Sequence, residues 1–302
     1  MTKFRSALLP FTLILAACQP DTAPQAGSGK DAIQARTSVS PFKNPVTMSD
    51  SNQRSASVPP PEPGEVLRAI YRKEGDGSSS YAIDGQGWVS YWYGHAYEIG
   101  GRRYFTGFAY STGEPSGDEA AVPAPGDQVT LSQATYALAP EGSVTLWEFI
   151  GAEHDIGQFG GHEKGNAIDE DGSPKTFRTA GGGYLLAVPA WYLETGVRIK
   201  TAEILLREHE QDHWQYAGSV ATGEDNSAGC ASDATAEGLP PCAVSTGTLE
   251  FQPQPGVEMP LIRVVVKGMV IDSPGKTRAL DVRDTAEYRY DLGKSKYELV
   301  QR

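Results

Sequence analysis

The stretch from Trp88 to Tyr110 reads WVSYWYGHAYEIGGRRYFTGFAY. Aromatic side chains favour strands because they pack well on a pleated, half-buried surface. Gly100-Gly101 supplies the positive φ that a two-residue hairpin turn needs. The pattern predicts a hairpin, Trp88 to Glu98 paired with Arg103 to Tyr110.

The same signals recur along the chain. Val144 to Phe149 and Tyr184 to Val188 read as short strands. Pro260 to Val266 is β-branched and turns at Ser273-Pro274-Gly275. Glu287 to Tyr290 and Tyr297 to Val300 flank the turn Asp291 to Ser295, and Val66 to Arg72 is the one helical candidate. Short strands with frequent turns predict an all-β fold over residues 63–302: a single antiparallel sandwich, barrel or propeller-like domain. A hydrophobic content of 39% is enough for a core of that size. The net charge of −12 argues against nucleic acid as a partner. No run of about 18 apolar residues exists to span a bilayer.

Upstream of the domain the chain changes character. Lys3 and Arg5 precede an apolar run from Ala7 to Ala17, the length of a signal-peptide core. It ends in Leu15-Ala16-Ala17-Cys18, which resembles the lipobox of bacterial lipoproteins. The resemblance implies a signal peptide over 1–17, cleavage before Cys18, acylation of that residue and membrane anchoring through it. Gln19 in place of Asp implies delivery to the outer membrane, with the chain facing the periplasm. Residues 18–62 are polar and Pro/Ser-rich and predict a disordered tether. Pro59 to Pro63 forms a stiff polyproline II end, and the whole reaches roughly 35–40 Å.

With Cys18 lipidated, Cys230 and Cys242 are an even pair in an oxidising compartment and predict a disulfide. It closes a ring of about 13 residues.

Four constellations could carry chemistry. His209-Glu210-Gln211-Asp212-His213 matches H-E-x-x-H. On a helix, that spacing puts both imidazoles on one face for zinc, with Glu210 as general base. Ala202, Leu205, Leu206, His209 and His213 even fall on one helical stripe. The flanks favour another reading. Val197 to Lys200 starts as an alternating strand and Trp214 to Val220 reads as its return, so 203–207 and 214–220 form a hairpin with the histidines at its tip. Extension would then hold the histidines about 13 Å apart. A third ligand would have to be Glu224 or Glu237. No zinc is expected. The acidic residues Asp155, Asp169 and Asp171, with Gly172, are calcium candidates but miss the EF-hand spacing and read as a plain turn. Gly181-Gly182-Gly183 lacks a following Lys-Ser/Thr and reads as a turn into a strand. Trp88, Tyr91, Trp92 and Tyr93 form either a contact surface or core-stabilising cross-strand pairs.

The expected function is a non-enzymatic, outer-membrane-anchored protein-binding module without cofactor. The membrane, through acylated Cys18, and an envelope protein are its partners. The layout is similar to that of periplasmic inhibitor and toxin-immunity lipoproteins. The alternatives are a zinc metallopeptidase using His209, Glu210 and His213, and a structural envelope lipoprotein.

Overall fold

A computed structural model describes residues 58–85, 87–113, 123–209, 213–231 and 238–301. The signal peptide, Cys18, nearly all of the tether, Glu210 and Glu237 lie outside them. After a helix, α1 (Pro63–Tyr71), the strands β1 (Ser80–Ile83), β2 (Gly87–Ile99), β3 (Arg102–Ser111), β4 (Val129–Leu138) and β5 (Trp147–Phe159) form one antiparallel sheet in chain order. The β2–β3 hairpin turns where the glycines predict. Gly100 and Gly101 take φ of 60° and 79° between the paired residues Ile99 and Arg102, the conformation that matches strand twist.

The second sheet contains β6 (Ala167–Ile168), β7 (Lys175–Arg178), β8 (Tyr184–Glu194), β9 (Val197–Arg207) and β10 (Trp214–Asp225). Its order is β10-β9-β8, with β6 and β7 both pairing onto β8. The third contains β11 (Ser245–Gln254), β12 (Val257–Ser273), β13 (Lys276–Ala279), β14 (Ala286–Asp291) and β15 (Lys296–Gln301). Its order is β11-β12-β14-β15, with β13 folded back on the end of β12. The expected pairing of 203–207 with 214–220 is present: Arg207 faces Trp214 and Leu205 faces Tyr216.

Three cores stack these elements into layers. Val66, Leu67, Ile70 and Tyr71 of α1 cover one face of the first sheet through Phe105, Ala109, Ala134 and Tyr136. A Cβ on Gly107 would lie 2.7 Å from the Val66 side chain, so the bare glycine lets the helix seat. The opposite face packs Phe108, Leu131 and Phe159 against Leu186, Leu205 and Trp214 of the second sheet. The far face of that sheet, with Leu185, Ile204 and Val220, meets Leu249, Ile262 and Tyr288 of the third. The middle sheet is therefore covered on both sides. This explains why Tyr184 to Val188 and Thr201 to Arg207 are buried without alternation. Among the described residues no sheet closes into a barrel, and the architecture is a stack of open antiparallel sheets of the sandwich kind.

Two details differ from the sequence reading. The fifth strand begins at Trp147, and fully exposed Val144 lies in the preceding turn, since the Glu141-Gly142 turn has not yet closed onto β4 there. The proline run is part of the packed unit: Pro61 is buried, and the carbonyl of Pro59 accepts the indole N–H of Trp147 at 2.8 Å. Cys230 and Cys242 are bridged. Asn226 braces the same loop, accepting from Ala243 N at 2.7 Å and donating to Pro241 O at 2.9 Å.

Candidate functional site

A concave surface lies where the proline run, α1 and the start of β5 meet. Each preceding residue in Val58-Pro59-Pro60-Pro61 is held extended by the proline that follows it. Glu62, before Pro63, has φ −67° and ψ 148° and then caps the helix reciprocally with Glu65. The run lies against Trp147 and leaves a groove of about 620 Å3 floored by Tyr136 and Phe149. The Tyr136 hydroxyl donates to the Glu65 carbonyl at 3.3 Å. Burial, and then the Glu65 carboxylate, push its pKa up to about 12, so it stays a neutral donor. Two of the lining side chains are exposed, Leu146 at 47% and Phe149 at 51%. Glu62 and Glu65 place carboxylates at its rim.

A smaller polar cavity of about 140 Å3 opens between the first and second sheets. Glu153 on β5 accepts from Gln133 Nε2 at 2.8 Å and Trp214 N at 2.9 Å, and its other oxygen bonds His213 Nδ1. Buried Arg207 lies over the Tyr104 ring at the opposite wall. Deeper in the same layer Glu203 is fully buried and accepts from Asn166, Thr201, Tyr216 and Ser219. These carboxylates have their oxygens filled by the protein's own donors, as a structural polar network requires.

The structure separates the residues of the zinc reading. His209 and His213 flank a hairpin tip, closed by Glu208 N to His213 O at 2.9 Å, instead of sharing a helical face. His209 is exposed and lies over the Gly182 turn, whereas His213 is turned onto Glu153. The strand wins over the helical stripe because β9 is buried on both faces. His213 is nonetheless no idle turn residue, since it fastens the tip to the first sheet. The calcium candidates are likewise apart. Asp155 Oδ1 accepts from Gly157 N, while the Asp169 carbonyl closes a turn with Gly172 N at 3.0 Å beside exposed Asp171. Among the described residues no group of three or more His, Cys, Asp or Glu side chains converges as a metal cage. Gly182 and Gly183 close a turn on Thr179.

Of the two readings of the β2 aromatics, three of the four side chains follow the core-packing one. Trp92 is 8% exposed, packs edge-on to Phe159 and donates to the Asn166 carbonyl at 2.7 Å. Tyr91 packs into the helix-side core, where burial pushes its pKa up to about 12, and Tyr93 packs into the core between the sheets. Trp88 alone, at 56%, is well exposed. The exposed aromatic surface is on β5 instead. Leu146, Trp147 and Phe149 were its only trace in the sequence, and the proline run that completes it lies 88 residues away.

These features define a layered antiparallel β protein with an aromatic groove at its chain entry. No family model, curated protein or solved structure matches the chain.

Proposed function

We propose that the chain is a lipid-anchored envelope protein whose β-sandwich-like domain binds a protein partner through the groove at Trp147 and Phe149. Anchoring rests on the lipobox resemblance at Cys18, and residues 19–57 join that anchor to the domain. Binding rests on one observation: two exposed apolar residues, Leu146 and Phe149, line a groove of about 620 Å3 together with Trp147 and the proline run. Contiguous exposed apolar surface beside a concavity costs solubility and is characteristic of interaction sites. Carboxylates at its margin fit the polar rim of an interface.

A photo-crosslinking side chain placed at Phe149 in the living cell tests this. A discrete protein adduct is expected from that position. None is expected from exposed Val282, which lies between β13 and β14 in the third-sheet layer. Equal labelling at both sites, or none at either, would remove the groove as a docking surface.

A further inference from the structure

Resting on the docking role just proposed, we infer that the groove recognises a proline-rich, basic protein segment in polyproline II conformation, and that the chain's own Pro59-Pro60 run is an internal competitor for it. The chemistry is already displayed in cis. Polyproline II has no internal hydrogen bonds, so its carbonyls are free to accept and its ring faces are apolar. Recognition of such a helix needs flat aromatic walls and a donor aimed at a prolyl carbonyl. Trp147 supplies both, its indole N–H donating to Pro59 O at 2.8 Å, with Tyr136 and Phe149 beside it.

Pro59 and Pro60 are themselves exposed on their outer side. They occupy part of the aromatic surface and leave the groove open next to it, continuous with Leu146 and Phe149. An added strand is a poorer fit. The edge strand β5 carries register irregularities opposite Thr135/Tyr136 and Leu131/Gln133, which spoil the regular ladder that a pairing strand needs. A polyproline segment needs no ladder. Charge selects further: Glu62 and Glu65 sit at the rim, Arg68, the only lining cation among the described residues, is paired with Glu74 at 3.5 Å, and the whole chain carries −12. A segment interleaving Lys or Arg with proline complements that rim.

The probe is a peptide of Pro-Pro-Lys repeats, with Gly-Gly-Lys repeats as control, titrated into the mature chain. Binding is read on the Trp147 indole N–H resonance, assigned by its loss in Trp147→Phe. Weak binding of the proline peptide is expected in the parent. The double variant Pro59→Ser with Pro60→Ser, which spares buried Pro61 and the helix cap, should bind roughly tenfold tighter, because an internal ligand competes at millimolar effective concentration. In a second readout, anisotropy of a fluorescently labelled proline peptide, Trp147→Phe in the double-variant background should lose that gain, and the Gly-Gly-Lys peptide should not bind. Cooperative urea unfolding with an unchanged far-ultraviolet circular dichroism spectrum certifies that each variant is folded. Equal affinity for the two peptides, or no tightening in the folded double variant, would overturn the inference. Crosslinking at position 149 without peptide binding would discard the proline chemistry and keep the docking site; failure of both would discard the site itself.

Discussion

The Tyr216 hydroxyl donates to Oε2 of Glu203 at 2.6 Å, between neighbouring strands of the middle sheet, with the carboxylate fully buried. The contact raises the Tyr216 pKa well above 10, through burial first and the adjacent carboxylate second. Glu203 organises the layer between the first two sheets, because Asn166, Thr201 and Ser219 also converge on its Oε1. Glu203→Ala leaves these donors buried without an acceptor and should destabilise by about 3–5 kcal/mol. Glu203→Gln keeps one acceptor and should cost less. Urea unfolding of both variants checks this, and equal losses would mean that the one remaining acceptor gives no relief, since Gln fills the volume that Ala vacates.

His95 provides a pH signature. It stacks between Tyr93 and Tyr97 and sits 2.9 Å from the Tyr184 hydroxyl, and burial lowers its pKa from 6.5 to about 4. Between those two values the unfolded chain holds the extra proton. Stability is therefore fully present above pH 6.5 and is lost as pH falls toward 4, by roughly 3 kcal/mol at most. His95→Gln should flatten this part of the stability–pH curve. An identical slope in the variant, measured by denaturation at pH 7, 5.5 and about 4, would assign the acid loss to other groups.

Local pattern made the hairpins legible, and long-range packing hid the rest. Gly100-Gly101 between aromatic runs marked β2–β3, and the run Trp214 to Val220 marked the partner of β9, because a turn and its strands are contiguous in sequence. The stack of three sheets was not legible. Tyr184 to Val188 is apolar on both parities, yet only the third sheet, tens of residues downstream, shows what its second face covers. Residue type alone cannot sort Trp92 from Trp147. Both lie on strands, but Trp92 is sealed by Phe159 and Asn166 whereas Trp147 is reached by Pro59. The site was missed for that reason.

The bridge between Cys230 and Cys242 is backed by Asn226, so its loss should be felt locally before it is felt globally. The chain-entropy model gives about 3 kcal/mol for a ring of this size. Cys230→Ser with Cys242→Ser should lower the melting temperature, and Asn226→Ala in that background should lower it more than in the parent. Additive effects in the double-mutant cycle would show that the two braces act independently.

Anchoring has a direct check. If Cys18 carries acyl chains, Cys18→Ala should abolish labelling by a fatty-acid analogue and leave an uncleaved or membrane-released chain. Two or more chains are needed for firm attachment, since one binds only marginally. Unchanged labelling and membrane fractionation in Cys18→Ala would refute the lipoprotein reading.

The hairpin tip carries the last expectation. His213 closes the β9–β10 turn of the second sheet and Glu153 lies on the first, so their bond joins that turn to the edge strand β5. Glu153 is also held by Gln133 and Trp214 N, so its carboxylate is already positioned before His213 arrives. A preorganised acceptor gives a larger coupling than an exposed surface pair of two mobile side chains. His213→Ala should therefore destabilise by about 1–2 kcal/mol. His209→Ala, at an exposed site, should stay within about 0.5 kcal/mol. In the cycle formed with Glu153→Gln the coupling should exceed about 0.5 kcal/mol and be confined to the His213 arm. The same variants settle the metal question, because a zinc site built on both histidines would make the two substitutions equivalent. Elemental analysis of the purified chain, with stoichiometric zinc lost equally in His209→Ala and His213→Ala, would replace the latch with a metal site. Loss of stability in His213→Ala alone, with no change in metal content, is the outcome expected from a hairpin latched through one histidine.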